Sequence, residues 1–349
     1  MSTPPSMHAP TSGPRAAARG LTVGSATRVG LGLAALALLL LLLGLAAGGE
    51  GWSWAWSTEW ELVRAIRVPR TLGALLAGAL LGLAGAIAQG LFRNPLADPY
   101  LLGSAAGASL GVVLVLAAGG LLGAQLGLAA SGMLLRVGLV GAAFIGALAG
   151  VLLTLALAGG AARPTVLLLG GVVVGVLLAA LSDLVILLSP EALRGKQVFL
   201  LGTTSFLGWS SVAVLAATLA LVLPLAMRLA RALDALVLGD ETARSLGVAL
   251  PRARLTLVVL MALATGCAVA QVGLVAFVGL VAPHLVRRAA VLTHGPLLAL
   301  SAAAGGVLLL AGDVAARCLL VPQELPVGVL TAIAGGVYLM VLLRRRTAR

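Results

Sequence analysis

The charged stretch Leu233–Leu250 is the part of this sequence whose residue types are best suited to contact another protein. Asp240 suits the N-cap of a short helix, and Glu241 favours the positive end of the helix dipole. Arg244 would lie in the last turn, and Gly247 would end the helix. A helix of about two turns is marginal alone in water. We therefore weigh two interpretations, a helix docked on a partner protein and a solvated loop.

Several common catalytic patterns are absent from the sequence. There is no G-x-x-x-x-G-K-[S/T] phosphate-binding loop, and the single lysine, Lys196, precedes Gln197. The three histidines are scattered, the two cysteines Cys267 and Cys318 are not spaced as metal ligands, and no Ser/His/Asp set appears. We expect no catalytic residue, metal site or cofactor, so any ATP hydrolysis that drives this protein must come from another chain.

Three arginines lie at positions that are predicted to face the outer side of a membrane. Arg67 and Arg70 flank Val68 and Pro69 at the start of an apolar run, and Arg317 lies near the end of another. Such charges either receive acidic residues of an external partner or reach towards lipid phosphates. Asp183 and Asp313 also lie in or near apolar runs, where a carboxylate is often functional. They leave an ion-coupled transporter open as an alternative.

The elements that carry these residues are apolar helices. The chain has 349 residues, of which 61% are hydrophobic and 10% charged, and its mean hydropathy is +1.14. This composition predicts an all-α polytopic membrane protein with about ten transmembrane helices. The predicted spans are residues 29–47, 69–91, 101–122, 133–158, 166–188, 210–229, 255–272, 274–285 (broken at Pro283), 297–320 and 327–343. Glycines four residues apart, as at Gly78/Gly82, Gly107/Gly111, Gly146/Gly150 and Gly171/Gly175, favour close helix packing in a bilayer.

The basic residues predict the orientation of the chain. Its net charge is +12, and most of the 23 Lys and Arg residues fall inside when the N-terminus is placed inside. The positive-inside rule explains this excess, so nucleic acid is not an expected partner. Both termini and the segment 233–250 are therefore predicted to be cytoplasmic. Residues 1–28, rich in Pro, Ser, Ala and Arg, predict a disordered cytoplasmic tail, followed by a transmembrane domain over 29–349.

Five segments resemble the FecCD family, the permeases of bacterial ABC importers for iron–siderophores, haem and vitamin B12. The longest is RVPRTLGALLAGALLGLAGAIAQGLFRNPLADPYLLGSAAGASLG at residues 67–111. The others, in the family's order, are LDALVLGDETARSLGV (233–248), VAFVGLVAPHLVRR (275–288), GDVAAR (312–317) and QELPVGVLTAIAGGVYL (323–339). The resemblance covers roughly residues 50–345.

This resemblance implies a type II ABC importer permease fold and a homodimer with the pathway at its interface. It also implies two cytoplasmic ABC ATPase subunits and an external, periplasmic substrate-binding protein that docks on Arg67, Arg70 and Arg317. The ATPase-coupling residues that it implies are Leu238, Gly239, Asp240, Glu241, Ala243, Arg244, Leu246 and Gly247. At the start of the fifth helix, where the vitamin B12 permease has a Thr-Ser gate, this chain has Pro164-Thr165. Only Thr165 carries over as a gate residue.

The sequence thus predicts a multi-pass permease of the inner, cytoplasmic membrane, in contact with lipid, that imports an iron–siderophore complex, haem or cobalamin by ATP-driven alternating access. An ion-coupled secondary transporter that uses Asp183 or Asp313 is the alternative. A polytopic membrane enzyme is disfavoured by the absence of a catalytic cluster.

Overall fold

Helices make up most of the part of the chain that the structure describes. This structure is a computed structural model and describes residues 14–48, 51–126 and 132–347. The helices of the first half are α1 (Pro14–Ala46), α2 (Trp60–Leu62), α3 (Val68–Leu91), α4 (Ser104–Leu126), α5 (Gly132–Leu157) and α6 (Pro164–Leu188). Those of the second half are α7 (Ala192–Leu201), α8 (Trp209–Arg228), α9 (Ala230–Val237), α10 (Asp240–Ser245), α11 (Leu250–Val272), α12 (Val278–Ala289), α13 (His294–Cys318) and α14 (Val327–Thr347).

Short irregular elements join some of these helices. A π-helical turn, Val63–Arg67, joins α2 to α3, and a 3-10 turn, Pro99–Leu102, precedes α4. Two strands of two residues each, β1 (Ala47–Gly48) and β2 (Gly51–Trp52), pair antiparallel after α1. The predicted all-α class is confirmed, since these strands are the whole of the sheet in the described ranges.

The apolar helices correspond roughly to the ten predicted spans. In the described residues, seven helices are long and apolar enough to cross a membrane, and residues 104–119 and 327–342 form two shorter apolar helices. The short helix α12 corresponds to the eighth predicted span. This agreement follows from the physics of the bilayer, because an apolar segment must satisfy its own backbone hydrogen bonds there, as a helix does.

Helix α3 lies at the centre of the bundle and packs against α13, α11, α12 and α8. Glycine makes this packing close, because a Cβ atom added at Gly78 would lie 2.3 Å from the carbonyl oxygen of Gly305 on α13. A Cβ atom at Gly82 would lie 2.1 Å from the carbonyl oxygen of Ser301. The predicted role of Gly78 and Gly82 in helix packing is therefore confirmed. A Cβ atom added at Gly175, by contrast, would meet no other atom of this chain within 4 Å, so Gly175 makes no close helix contact within the chain.

Two local predictions differ from the structure. Helix α1 begins at Pro14, so residues 14–28 are helical rather than disordered, and residues 1–13 lie outside the described residues. Proline suits a first helical turn, and the alanine-rich stretch that follows has high helix propensity. Pro283 does not break α12, which runs through it. The Gly279 carbonyl, which Pro283 deprives of its helical N–H partner, faces Gly85 on α3, where no side chain obstructs it.

Candidate functional site

The three predicted arginines come together at the end of the bundle where α3 begins. Arg67 closes the π-helical turn, Arg70 lies in the first turn of α3, and Arg317 lies in the last turn of α13. We call the group formed by these arginines with Asp313, Glu59 and Glu324 the arginine cluster. A cavity of about 450 Å³ opens beside it, and all of these residues except Asp313 line that cavity.

Asp313 is the centre of the cluster and is fully buried. Its carboxylate accepts hydrogen bonds from Arg70 Nε at 3.0 Å and Thr204 Oγ1 at 2.5 Å. Arg317, one helical turn further along α13, also pairs with it. A buried charge requires such partners because the bundle interior solvates it poorly.

Two further carboxylates lie at the rim of the cluster. Glu324 accepts from Arg70 Nη1 at 2.8 Å and from Ser205 Oγ at 2.8 Å, and Glu59 accepts from Arg67 Nη2 at 2.5 Å. The Glu59 and Glu324 side chains are 34% and 30% exposed. Burial acts to raise the pKa of Glu324, but the hydrogen bond and positive charge of Arg70 outweigh it and lower that pKa.

The arginines also hold the end of α1. Arg317 Nη1 donates to the carbonyl oxygens of Gly44 and Ala47 at 2.9 and 3.1 Å, and Arg67 Nη1 donates to that of Leu45 at 3.2 Å. The last carbonyls of a helix have no intrahelical partner and carry a partial negative charge. The guanidinium groups donate hydrogen bonds to these carbonyls and bring positive charge to the helix end. The cluster therefore joins α1, α3 and α13.

This burial corrects the simplest picture of the arginines as charges that face water. Arg67 and Arg70 are 6% exposed and Arg317 is 2% exposed. The sequence predicts that the three arginines share one surface but does not predict their carboxylate partners within the chain. One local signal existed, since Asp313 and Arg317 are spaced i,i+4 and would be neighbours on a helix.

The two aspartates considered for ion coupling have different surroundings. Asp313 lies among cationic partners, as described above. Asp183 is 71% exposed and pairs with Lys196 Nζ at 2.5 Å. In the described residues, no group of three or more His, Cys, Asp or Glu could hold a metal ion.

The segment 233–250 lies at the opposite end of α3 and contains the end of α9, all of α10 and the first residue of α11. Gly239, with φ of 102°, is the N-cap of α10, and Asp240 is the first helical residue. The predicted N-cap role of Asp240 is therefore wrong, because its carboxylate is engaged elsewhere. Arg244 lies in the last turn as predicted. Gly247, with φ of 82°, ends the helix as predicted, and Val248 N–H donates to the Ala243 carbonyl at 3.0 Å.

The predicted coupling residues divide into two faces. Leu238 and Leu246 are 64% and 62% exposed, and Glu241 and Arg244 are also exposed. Ala243 is fully buried, so it anchors α10 to the bundle and presents no surface. Two large apolar side chains beside two charges form a surface that favours a protein partner.

Asp240 turns towards the bundle instead. Its two carboxylate oxygens accept from Arg254 Nη2 at 2.8 and 2.9 Å, and Arg93 Nη2 lies 3.6 Å away. Arg254 lies in α11, and its Nη1 donates to the Ala162 carbonyl at 2.8 Å. We call this arrangement the Asp240–Arg254 link. Thr165, the predicted gate residue, is exposed at the start of α6, three residues after Ala162.

The helical bundle, with its long apolar helices and two polar ends, defines a class of protein, a multi-pass membrane protein. The chain belongs to the FecCD transport family, whose model matches residues 29–345. The family is one of transport permeases rather than enzymes.

Curated relatives share much of their length with this chain. It is 39% identical over 296 residues to the hemin transport system permease protein HmuU of Yersinia pestis, covering 83% of this chain and 85% of that protein. It is 37% identical to the Fe(3+) dicitrate transport system permease protein FecD of Escherichia coli, covering 82% and 89%. It is 38% identical to the vitamin B12 import system permease protein BtuC of Yersinia enterocolitica, covering 82% and 81%.

A solved structure described as an inward-facing conformation of a metal-chelate type ABC transporter has the same fold. The TM-score is 0.80 at 27% sequence identity, over 90% of this chain and 98% of that chain. The predicted type II ABC importer permease fold is thereby confirmed.

Proposed function

We propose that this chain is the permease subunit of a binding-protein-dependent ABC importer that moves an iron–siderophore complex, haem or cobalamin into the cytoplasm. The relatives named above are permeases for hemin, Fe(3+) dicitrate and vitamin B12, which supports this substrate class. The observation that carries the proposal is the placement of two different polar sites at opposite ends of the buried helix α3.

In the proposed assembly, two copies of the chain enclose the pathway in the inner membrane. Two separate ATPase subunits bind the cytoplasmic end, at the exposed face of α10, and both termini lie on that side. The positive-inside distribution of Lys and Arg supports this orientation. An external substrate-binding protein docks at the arginine cluster, on the other side of the membrane.

The burial of the arginines suggests how docking would occur. Glu59 and Glu324 are partly exposed, and within the same chain they form ion pairs with Arg67 and Arg70. An acidic side chain of a docked protein would enter the adjacent cavity and compete with these rim carboxylates for the guanidinium groups. Charge complementarity of this kind contributes to specificity and to the rate of association.

Transport would follow alternating access. ATP-driven closure of the two ATPase subunits moves α10, the start of α6 responds, and Thr165 opens or closes the cytoplasmic side. The energy source is then a separate chain, in keeping with the absence of a phosphate-binding loop in this sequence.

The arginine end is tested by reversing two charges. We expect Arg67→Glu with Arg70→Glu to abolish uptake of the labelled substrate, because the variant repels the acidic residues of the binding protein. Uptake of iron chelates, haem and cobalamin is measured in cells that lack other importers. Arg64→Glu is the matched control, since Arg64 is exposed and lies beside the cluster on the same turn.

The double variant must be present in the membrane at the wild-type level and must elute as a monodisperse complex with the ATPase. Wild-type uptake by such a variant would contradict docking at the arginine cluster. Uptake that requires a proton gradient and proceeds without any ATPase would contradict the ABC mechanism and favour the ion-coupled alternative.

The cytoplasmic end is tested by co-purification. We expect Glu241→Lys with Arg244→Glu to reduce the amount of ATPase subunit that co-purifies with the permease, because both side chains are exposed on α10. Arg228→Glu, an exposed arginine at the end of α8, is the control. An unchanged yield of the complex would contradict ATPase docking on α10. Binding titrations with iron chelates, haem and cobalamin on the partner binding protein would identify the substrate.

A further inference from the structure

Arg254 connects three segments that lie far apart in the sequence. It projects from near the start of α11, forms a two-oxygen contact with Asp240 of α10, and donates to the Ala162 carbonyl of the loop that leads into α6. Ala162 and Arg254 are 92 residues apart in the chain. One guanidinium group therefore joins the short helix α10 to the α5–α6 loop.

The geometry of this contact is stiff. Arg254 is 2% exposed, so its charge has little access to water and depends on these partners. The planar guanidinium fork fixes the directions of its donors, which a flexible ammonium group does not. A displacement of Asp240 must therefore either move the Ala162 carbonyl with it or leave a buried charge without its partner.

The loop on the other side of Arg254 is built to turn. Gly159 and Gly160 have φ of 66° and 100°, in the left-handed region that glycine adopts without strain. Ala161 is buried in the bundle, while Thr165 is exposed three residues beyond Ala162. A shift of the Ala162 carbonyl would therefore be passed to the first turn of α6, where Thr165 lies.

We infer that Arg254 is the positioning residue that transmits movement of α10, through the Ala162 carbonyl, to the start of α6 and the Thr165 gate. The inference rests on the proposed function, since α10 moves only if an ATPase subunit binds it. Arg254 is buried, and on α10 it hydrogen-bonds to Asp240 and not to the exposed Glu241 or Arg244. A static role in folding is the competing explanation, and it predicts no effect on the response to nucleotide.

The test follows the accessibility of the gate and needs no knowledge of the substrate. Cys267 and Cys318 are replaced by Ala, and Thr165→Cys is introduced as the reporter. The permease–ATPase complex is placed in lipid nanodiscs, and the rate of labelling by a charged maleimide is measured with and without ATP plus vanadate. With Arg254 intact, we expect nucleotide to change this rate. With Arg254→Ala, we expect the dependence on nucleotide to be lost, although the ATPase still co-purifies and hydrolyses ATP.

Two further variants separate transmission from folding. Arg254→Lys keeps a positive charge beside Asp240 but cannot reproduce the fork, so its response should lie between the wild type and Arg254→Ala. Arg252→Ala removes an exposed arginine from the same turn of α11 and should keep the wild-type response.

Each outcome has a defined meaning. If no ATPase co-purifies with the unaltered permease, the proposed function fails. If the ATPase binds but labelling is insensitive to nucleotide in the unaltered complex, or equally sensitive in Arg254→Ala, the inference is overturned. Should Arg254→Ala not be recovered as a folded complex, a full wild-type response in Arg254→Lys overturns it.

Discussion

The two polar ends of this permease contain the same types of charged residue but differ in how far those residues are buried. At the arginine cluster, three arginines are buried, and their partners are carboxylates of the same chain. At the Asp240 end, the charges of α10 are mostly exposed, and one buried arginine, Arg254, ties the helix to the bundle. The comparison shows a stiff end, whose charges are paired within the chain, and an exposed end, whose charges mostly face solvent and suit a partner.

The physical basis of this difference is desolvation. A buried ion pair gains little over apolar packing, but removal of one member leaves a charge that water cannot reach. An exposed pair contributes little because water and salt screen it. The arginine cluster is therefore sensitive to the loss of any member, whereas the surface of α10 can change with little effect on folding.

Substitution of Asp313 is expected to have the largest effect. Asp313→Asn leaves Arg70 and Arg317 buried without their shared carboxylate, which should destabilise the permease by about 3–5 kcal/mol. Asp183→Asn, in an exposed pair with Lys196, is the control and should cost about 0–1 kcal/mol. Thermal unfolding of the purified permease measures both. Similar melting temperatures for the two variants would refute the stiff-end description.

Two leucines of the Asp240 end provide a sharper contrast. Leu236 is fully buried, and Leu236→Ala should destabilise the protein by about 2–5 kcal/mol. Leu238 is 64% exposed two residues later, and Leu238→Ala should leave the melting temperature near that of the wild type while it weakens ATPase co-purification. A strong loss of stability in Leu238→Ala would show that this face packs within the permease and is not a docking surface.

The smallest expected effect is a pH dependence at the arginine end. Because the folded protein lowers the pKa of Glu324 below its ordinary value of 4.5, this carboxylate contributes stability above that pH. The contribution should be lost as the pH falls from 4.5 through the lowered pKa. We expect Glu324→Gln to be less stable than the wild type near neutral pH and to lose less stability on acidification. Melting curves between neutral pH and the acidic range test this, and parallel curves for the two proteins would contradict it.

Much of the fold could be predicted because the bilayer imposes its rule locally. Runs of about 20 apolar residues must form helices in a membrane, so the approximate number of spans followed from the apolar runs along the sequence. Boundaries were less predictable, as Pro14 and Pro283 show, because a proline can begin a helix or lie within one according to its neighbours. The end of α10 at Gly247 was also predictable, because it depends on the backbone conformation of that one glycine.

The sequence predicted only part of each site. By itself, the sequence determined the class of protein, the close spacing of Arg67 and Arg70 at the start of an apolar run, and the charged segment 233–250. Only the tertiary structure decided that Arg70 meets Asp313 and Glu324, which lie 243 and 254 residues away, and that Arg254 reaches Ala162. The reason is that the bilayer around an apolar segment makes it helical whatever the rest of the chain does. A buried charge instead needs a partner, and the packing decides which distant segment comes within hydrogen-bond distance.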